Sequence, residues 1–132
     1  MKNNLKFKLE NLKKAIESLN EAVNMYSSDK KNRVVEAGLI QNFEISVELS
    51  WKVMKKYLED SGLEANTPRD AIKLAFSSHL IQDGENWLNA LQDRNASSHI
   101  YEENMVRALA DKILNLYFPL IKNFSDDITN KA

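Results

Sequence analysis

Leu5, Leu9, Leu12, Ile16, Leu19, Val23 and Tyr26 recur at intervals of 4, 3, 4, 3, 4 and 3. That period puts them on one face of a long helix, with lysines, asparagines and glutamates opposite. Ser27-Ser28-Asp29-Lys30 breaks the pattern and predicts a short polar connection. A second long helix is predicted over residues 33–60, and it carries two apolar stripes. Ile40, Phe43, Val47, Trp51, Met54 and Leu58 form the first; Leu39, Ser46, Leu49, Val53 and Tyr57 form the second. Two stripes predict packing on two sides, against the chain's own bundle and against a second copy of the chain.

Gly62 marks the end of this helix. Thr67-Pro68-Arg69-Asp70 is a start signal, with threonine as N-cap, proline in the first helical position and aspartate in the third. The short helix it opens carries Ile72, Leu74, Ala75 and Phe76 and fades at Ser77-Ser78. Asp83-Gly84-Glu85 opens the next, with Trp87, Leu88 and Leu91 as its apolar face. The last helix starts at Glu102-Glu103, with Val106, Leu109, Ile113, Leu116 and Leu120 spaced 3, 4, 3 and 4. Pro119 removes a backbone donor and predicts a kink about one turn upstream. Residues 126–132 read as a frayed tail. The expectation is all-α: an antiparallel up-and-down bundle of about five helices, dimeric, with residues 1–132 as one domain.

Composition narrows the field. The chain has 132 residues, 28% charged and 43% hydrophobic, in the range of an ordinary folded domain. Its 3 glycines and 2 prolines are too few for a sandwich or barrel of many short strands. Without cysteine there is no disulfide scaffold, thiolate metal site or thiol nucleophile. The formal net charge of −1 gives no overall field for nucleic acid, so any such contact is local or assembled by oligomerisation. No stretch approaches the roughly 18 apolar residues of a membrane helix, and the start of the chain is not a signal-peptide pattern. No membrane association and a cytoplasmic location are expected.

The chemistry concentrates in Arg94-Asn95-Ala96-Ser97-Ser98-His99-Ile100-Tyr101, preceded by Asp93 and followed by Glu102-Glu103. A guanidinium can clamp a phosphate bidentately, and an imidazole moves protons near neutral pH. The plain alternative is a helix end whose polar residues face water. On a continuous helix Asn95 and His99 share a face, as do Arg94 and Tyr101, whereas Arg94 and His99 diverge by roughly 140°. Arg94 and His99 therefore converge only if the helix ends between them or a second chain completes the site. In that case His99 is the general acid or base toward a ribose 2′-hydroxyl, and Arg94 stabilises the charge building on the phosphorane. Glu44 and Glu48, four apart, are either a catalytic carboxylate pair or a polar strip facing water or an arginine across an interface. His79, at a helix end, reads as structural rather than catalytic. Lys6, Lys8, Lys13 and Lys14 read as a solvated face, with a nucleic-acid stripe as the alternative.

Arg-Asn-x-x-x-His-x-Tyr, at Arg94, Asn95, His99 and Tyr101, resembles the arginine-x4-histidine signature of HEPN domains. Phe43-Glu44, Glu48-Leu49-Ser50-Trp51-Lys52, Thr67-Pro68-Arg69-Asp70 and Asp83-Gly84-Glu85-Asn86-Trp87 extend the resemblance in order along nearly the whole chain. The group matched is the nucleotidyltransferase substrate-binding proteins, which overlap the HepT-like toxins. His79 departs from the pattern, where glycine is expected, and bears on the shape of that turn.

The resemblance implies a homodimer, with the signature residues of both chains near a shared cleft, and a minimal nucleotidyltransferase as partner. For toxin-like members it implies metal-independent RNA cleavage by Arg94 and His99, with Asn95 orienting the phosphate or the imidazole. It further implies silencing by transfer of AMP to Tyr101. No metal and no cofactor of the chain's own is implied. The alternative is a non-catalytic subunit that docks on a nucleotidyltransferase and presents its substrate. A third reading is a helical dimer whose polar stretch only holds the interface.

Overall fold

The computed structural model describes residues 3–131; Met1, Lys2 and Ala132, at the ends of the expected domain, lie outside the described residues. Its elements are α1 (Asn3–Ser28), α2 (Arg33–Asp60), α3 (Pro68–Ser77), α4 (Gly84–Ala96), a 3-10 turn (Ser97–His99), α5 (Glu103–Lys112), a π-helical turn (Ile113–Tyr117) and α6 (Phe118–Lys131). The π turn joins α5 and α6 into one long rod, so the described residues form five helical rods and no strand. Among the described residues no helix is long and apolar enough to cross a membrane.

All seven seam residues of α1 are buried. A tight polar connection, in which Asn32 caps α2 by accepting from the Val34 and Val35 amides, turns the chain back. Short connections of this kind make consecutive helices antiparallel neighbours. α1 therefore lies along α2, and α6 packs on α1 as well. α2 is the central helix, touching α1, α3, α4, α5 and α6.

That position corrects one expectation. Phe43, Val47, Met54 and Leu58 of the first stripe and Leu39, Ser46 and Val53 of the second are all buried within the chain. Most of both stripes is covered by the chain's own helices, with Ile40, Leu49, Trp51 and Tyr57 half-buried, so the stripes do not by themselves call for a second copy.

α2 closes as expected. Gly62 takes φ 86°, its amide donates to the Glu59 carbonyl, and the Leu63 amide reaches the Leu58 carbonyl at 2.8 Å. Thr67 caps α3 through the Asp70 amide, and Asp83 caps α4 through the Asn86 amide. Gly84, at the start of α4, lies under Phe76; a Cβ there would come 2.7 Å from the ring.

The kink expected from Pro119 takes the form of the π turn. Proline has no N–H and its ring crowds the carbonyl four residues back, here Asn115. The ladder widens at that point, with the Phe118 amide donating to the Ile113 carbonyl. The frayed tail is a second correction. The helix runs on to Lys131, Ile128 is fully buried and the Thr129 hydroxyl bonds the Ser125 carbonyl at 2.6 Å. Ile121, Phe124, Ser125 and Ile128 are all buried, at one-turn spacing that continues the apolar face past the polar Asp126-Asp127 pair.

Candidate functional site

Arg94 sits in the last turn of α4, a helix fixed in the core by Trp87, Ala90 and Leu91. Just before it, Asp93 accepts a short hydrogen bond from the hydroxyl of Tyr117, which is fully buried and stacks on Phe43 at 5.3 Å. Burial, together with the bond to Asp93 and its negative charge, pushes the Tyr117 hydroxyl well above the usual phenol range. The π turn thus anchors the residue next to Arg94.

The α-helix stops at Ala96, between Arg94 and His99, and the 3-10 turn takes over. Its tighter winding of about 3 residues per turn replaces the expected helical geometry. The faces that a continuous helix gives Asn95 with His99 and Arg94 with Tyr101 are therefore not formed. Of the two conditions for bringing Arg94 toward His99, the interruption of the helix is met. Among the described residues no hydrogen bond links the two side chains.

α2 supplies the other wall. The carboxylate of Glu48 lies 3.6 Å from Arg94 Nη2 and also accepts from Trp51 Nε1 at 3.0 Å. One turn earlier, Glu44 accepts a short hydrogen bond from the hydroxyl of Ser97, which also bonds the Arg94 carbonyl at 2.8 Å. The two carboxylates read from the sequence as a catalytic pair or a polar strip thus hold the signature segment against α2, and the arginine that Glu48 faces is in its own chain. Arg94 Nη1 lies 3.4 Å from Asn95 Oδ1, so Asn95 leans on the guanidinium rather than on the imidazole. Arg94 Nε is buried and unpaired, which leaves the group with an unused donor.

Ile100 is half-buried, packs against the core and has extended dihedrals. In extended backbone neighbouring side chains point to opposite sides. Anchoring Ile100 inward therefore turns His99 and Tyr101 outward, where both are exposed, Tyr101 at 84%. Neither makes a side-chain hydrogen bond among the described residues. His79 stands apart, exposed at the end of α3. No group of three or more His, Asp or Glu side chains that could hold a metal ion comes together among the described residues.

The arrangement can bind an anion at Arg94 and exchange a proton at His99, with a phenol freely reachable two residues on. Sequence reasoning missed the Glu44–Ser97 and Glu48–Arg94 contacts, because they join residues 53 and 46 positions apart that only helix packing brings together.

The chain is similar to several known proteins. A probable ribonuclease HepT of Haemophilus influenzae is 32% identical over 82 residues, 58% of this chain. The chain spans 56% of that relative's length. A crystal structure from Thermus thermophilus matches with TM-score 0.75 and 27% identity, over 91% of this chain and 97% of its own. A tri-AMPylated Shewanella oneidensis HEPN toxin, solved in complex with MNT antitoxin, matches with TM-score 0.79 and 18% identity, over 98% of this chain and 99% of its own. That likeness shows that the chain has the same all-α bundle fold as that toxin. Over residues 7–130 the sequence matches the family described as nucleotidyltransferase substrate binding protein like, and the chain belongs to that family.

Proposed function

We propose that this protein is the HEPN-type partner of a minimal nucleotidyltransferase in a toxin–antitoxin pair and is itself a metal-independent endoribonuclease. The observation that carries the reading is the signature segment itself. Arg94 is held by Glu48 with its side chain still 36% exposed, and His99 is exposed just past the helix end. The names of the HepT relative and of the toxin–antitoxin neighbours support the same reading.

In the proposed reaction Arg94 binds the scissile phosphate and stabilises the charge of the phosphorane. His99 takes the proton of the ribose 2′-hydroxyl as the 2′-oxygen attacks phosphorus. The bond to the 5′-oxygen breaks, and that oxygen takes up a proton, from the second copy's imidazole in a dimer or from water. The products are a 2′,3′-cyclic phosphate and a 5′-hydroxyl. Asn95 steadies the guanidinium. Exposed Tyr101 is the acceptor of AMP from the nucleotidyltransferase, whose negative phosphate, two residues beyond His99, would compete with RNA.

The test is RNA cleavage by the purified protein with EDTA present, comparing wild type with Arg94→Ala and His99→Ala. Loss of acid–base catalysis lowers the rate about 10²–10⁴-fold. Cleavage that survives EDTA, leaves cyclic phosphate ends and disappears in both variants is the expected result. The second reading, a non-catalytic subunit that presents substrate to the nucleotidyltransferase, is favoured by the family's own description. Equal cleavage in all three proteins, or none, would decide for it.

A further inference from the structure

With a net charge of −1, RNA can be held only by a local concentration of cations. The surface has one where α1 crosses α2. Lys8 of α1 and Lys52, Lys55 and Lys56 of α2 line a groove of about 280 Å³, together with Trp51 and Glu59. Four lysines and an indole ring thus line the groove with Glu59, and Glu48 and Asp60 pair with Lys52 and Lys56 at its edge. The chain reaches this density by bringing a single lysine of α1 onto three from α2, which no local run of sequence contains.

We infer that this groove is the path of the single-stranded RNA that flanks the scissile bond, its lysines on the phosphates and Trp51 against a base. The inference rests on the ribonuclease reading and adds where the substrate lies. Cations lining a channel with an aromatic platform are the means by which proteins hold single strands without reading sequence.

The groove and the signature segment share a wall. Glu48 Oε2 takes both the Trp51 indole N–H at 3.0 Å and the Arg94 guanidinium at 3.6 Å, while Glu48 Oε1 lies 3.7 Å from Lys52. Lys52 Nζ stands 5.8 Å from the centre of the Trp51 ring. A strand with one phosphate on Arg94 is therefore led past Trp51 onto the lysines. From residue 51 to residue 59 the helix rises about 12 Å, enough for a few nucleotides.

The carboxylates beside the lysines do not close the path. Lys56–Asp60, at 3.4 Å, is enclosed, with side chains 23% and 15% exposed, but Lys52–Glu48 and Lys55–Glu59 are half-exposed pairs one turn apart on the helix surface, both at 3.7 Å. Such pairs are weak and exchange readily for a phosphate. Lys8 has no carboxylate partner among the described residues. An acidic protein surface would also satisfy the lysines, but it gives no use to the indole face beside Arg94.

The test is fluorescence anisotropy with a short labelled single-stranded RNA bearing 2′-O-methyl groups, which remove the nucleophile. Wild type is compared with Lys8→Gln/Lys55→Gln/Lys56→Gln and with the same three positions changed to arginine. The glutamine variant is expected to bind about tenfold or more weakly, with a log–log salt slope shallower by about 2, and the arginine variant to bind as wild type does. Trp51→Phe, which keeps a ring, should bind better than Trp51→Ala. If the glutamine variant binds with wild-type affinity and salt slope, the groove is not the RNA path, while the ribonuclease reading stands on the cleavage assay. Unchanged RNA binding with lost binding to the nucleotidyltransferase would make the groove a protein-docking surface and overturn the inference. A wild type that neither binds nor cleaves RNA removes both.

Discussion

His79 adopts φ 66°, the only positive φ outside glycine among the described residues. It follows the cap of α3, its amide donating to the Phe76 carbonyl and the next amide, of Leu80, to the Ala75 carbonyl at 2.8 Å. This is the glycine-type helix stop that Gly62 makes for α2, formed by a residue with a Cβ. The turn therefore has the shape that the family pattern implies, and the departure is paid in backbone strain rather than in geometry. His79→Gly is expected to stabilise the fold by about 0.5–1 kcal/mol, seen as a higher urea midpoint at unchanged slope. A lower midpoint would show that the imidazole contributes more to the helix end than its backbone takes away. At this scale the sequence was informative where one residue type does one job. The caps at Thr67 and Asp83 and the stops at Gly62 and His79 stand where they were read. Arg94, Asn95, His99 and Tyr101 could be nominated from their chemistry, but their partners could not, because Glu44 and Glu48 are neighbours only in the folded chain.

Two buried tyrosines bind the α5–α6 rod to the rest of the bundle. Tyr26 of α1 donates to Asp111 of α5 at 2.7 Å, and Tyr117 of the π turn donates to Asp93 of α4. Burial first, then the bonded aspartate, raises both hydroxyls far above the ordinary phenol value near 10. A group whose pKa is higher in the folded than in the unfolded state stabilises the fold below the unfolded value. That contribution is lost as pH rises through the folded value, so stability should fall from about pH 10 upward. Tyr117→Phe is expected to remove about 1–2 kcal/mol at neutral pH and to flatten the alkaline decline, measured by urea unfolding from pH 7 to 11. An alkaline limb as steep as wild type's would mean that the Tyr117–Asp93 bond carries none of it. Element boundaries were legible from periodicity and caps. The π turn was legible only as a disturbance ahead of Pro119, since proline dictates a lost hydrogen bond and not the way a helix absorbs it. The last turns of α6 were hidden by their polar composition, although Phe124 and Ile128 kept the helical interval.

For the whole molecule, the bundle order followed from the helix lengths and short connections, whereas the second chain did not follow from the stripes of α2. The case for a dimer rests instead on apolar surface beside the signature segment. Ile45 is exposed on α2 next to Glu44, and Tyr101 and Met105 are exposed just beyond His99. Solvent gains nothing from contact with these side chains, and joining two such faces would bury them while setting two copies of His99 and Arg94 side by side. One imidazole could then take the 2′ proton while the other supplies the 5′-oxygen, which a single His99 cannot do in one step. Light scattering should therefore give twice the chain mass. Ile45→Glu, which puts a charge into that face, should yield a folded monomer with cleavage reduced at least tenfold. A wild-type monomer that cleaves RNA would place the whole reaction within one chain, with water delivering the second proton. A monomeric Ile45→Glu with full activity would separate dimer formation from catalysis.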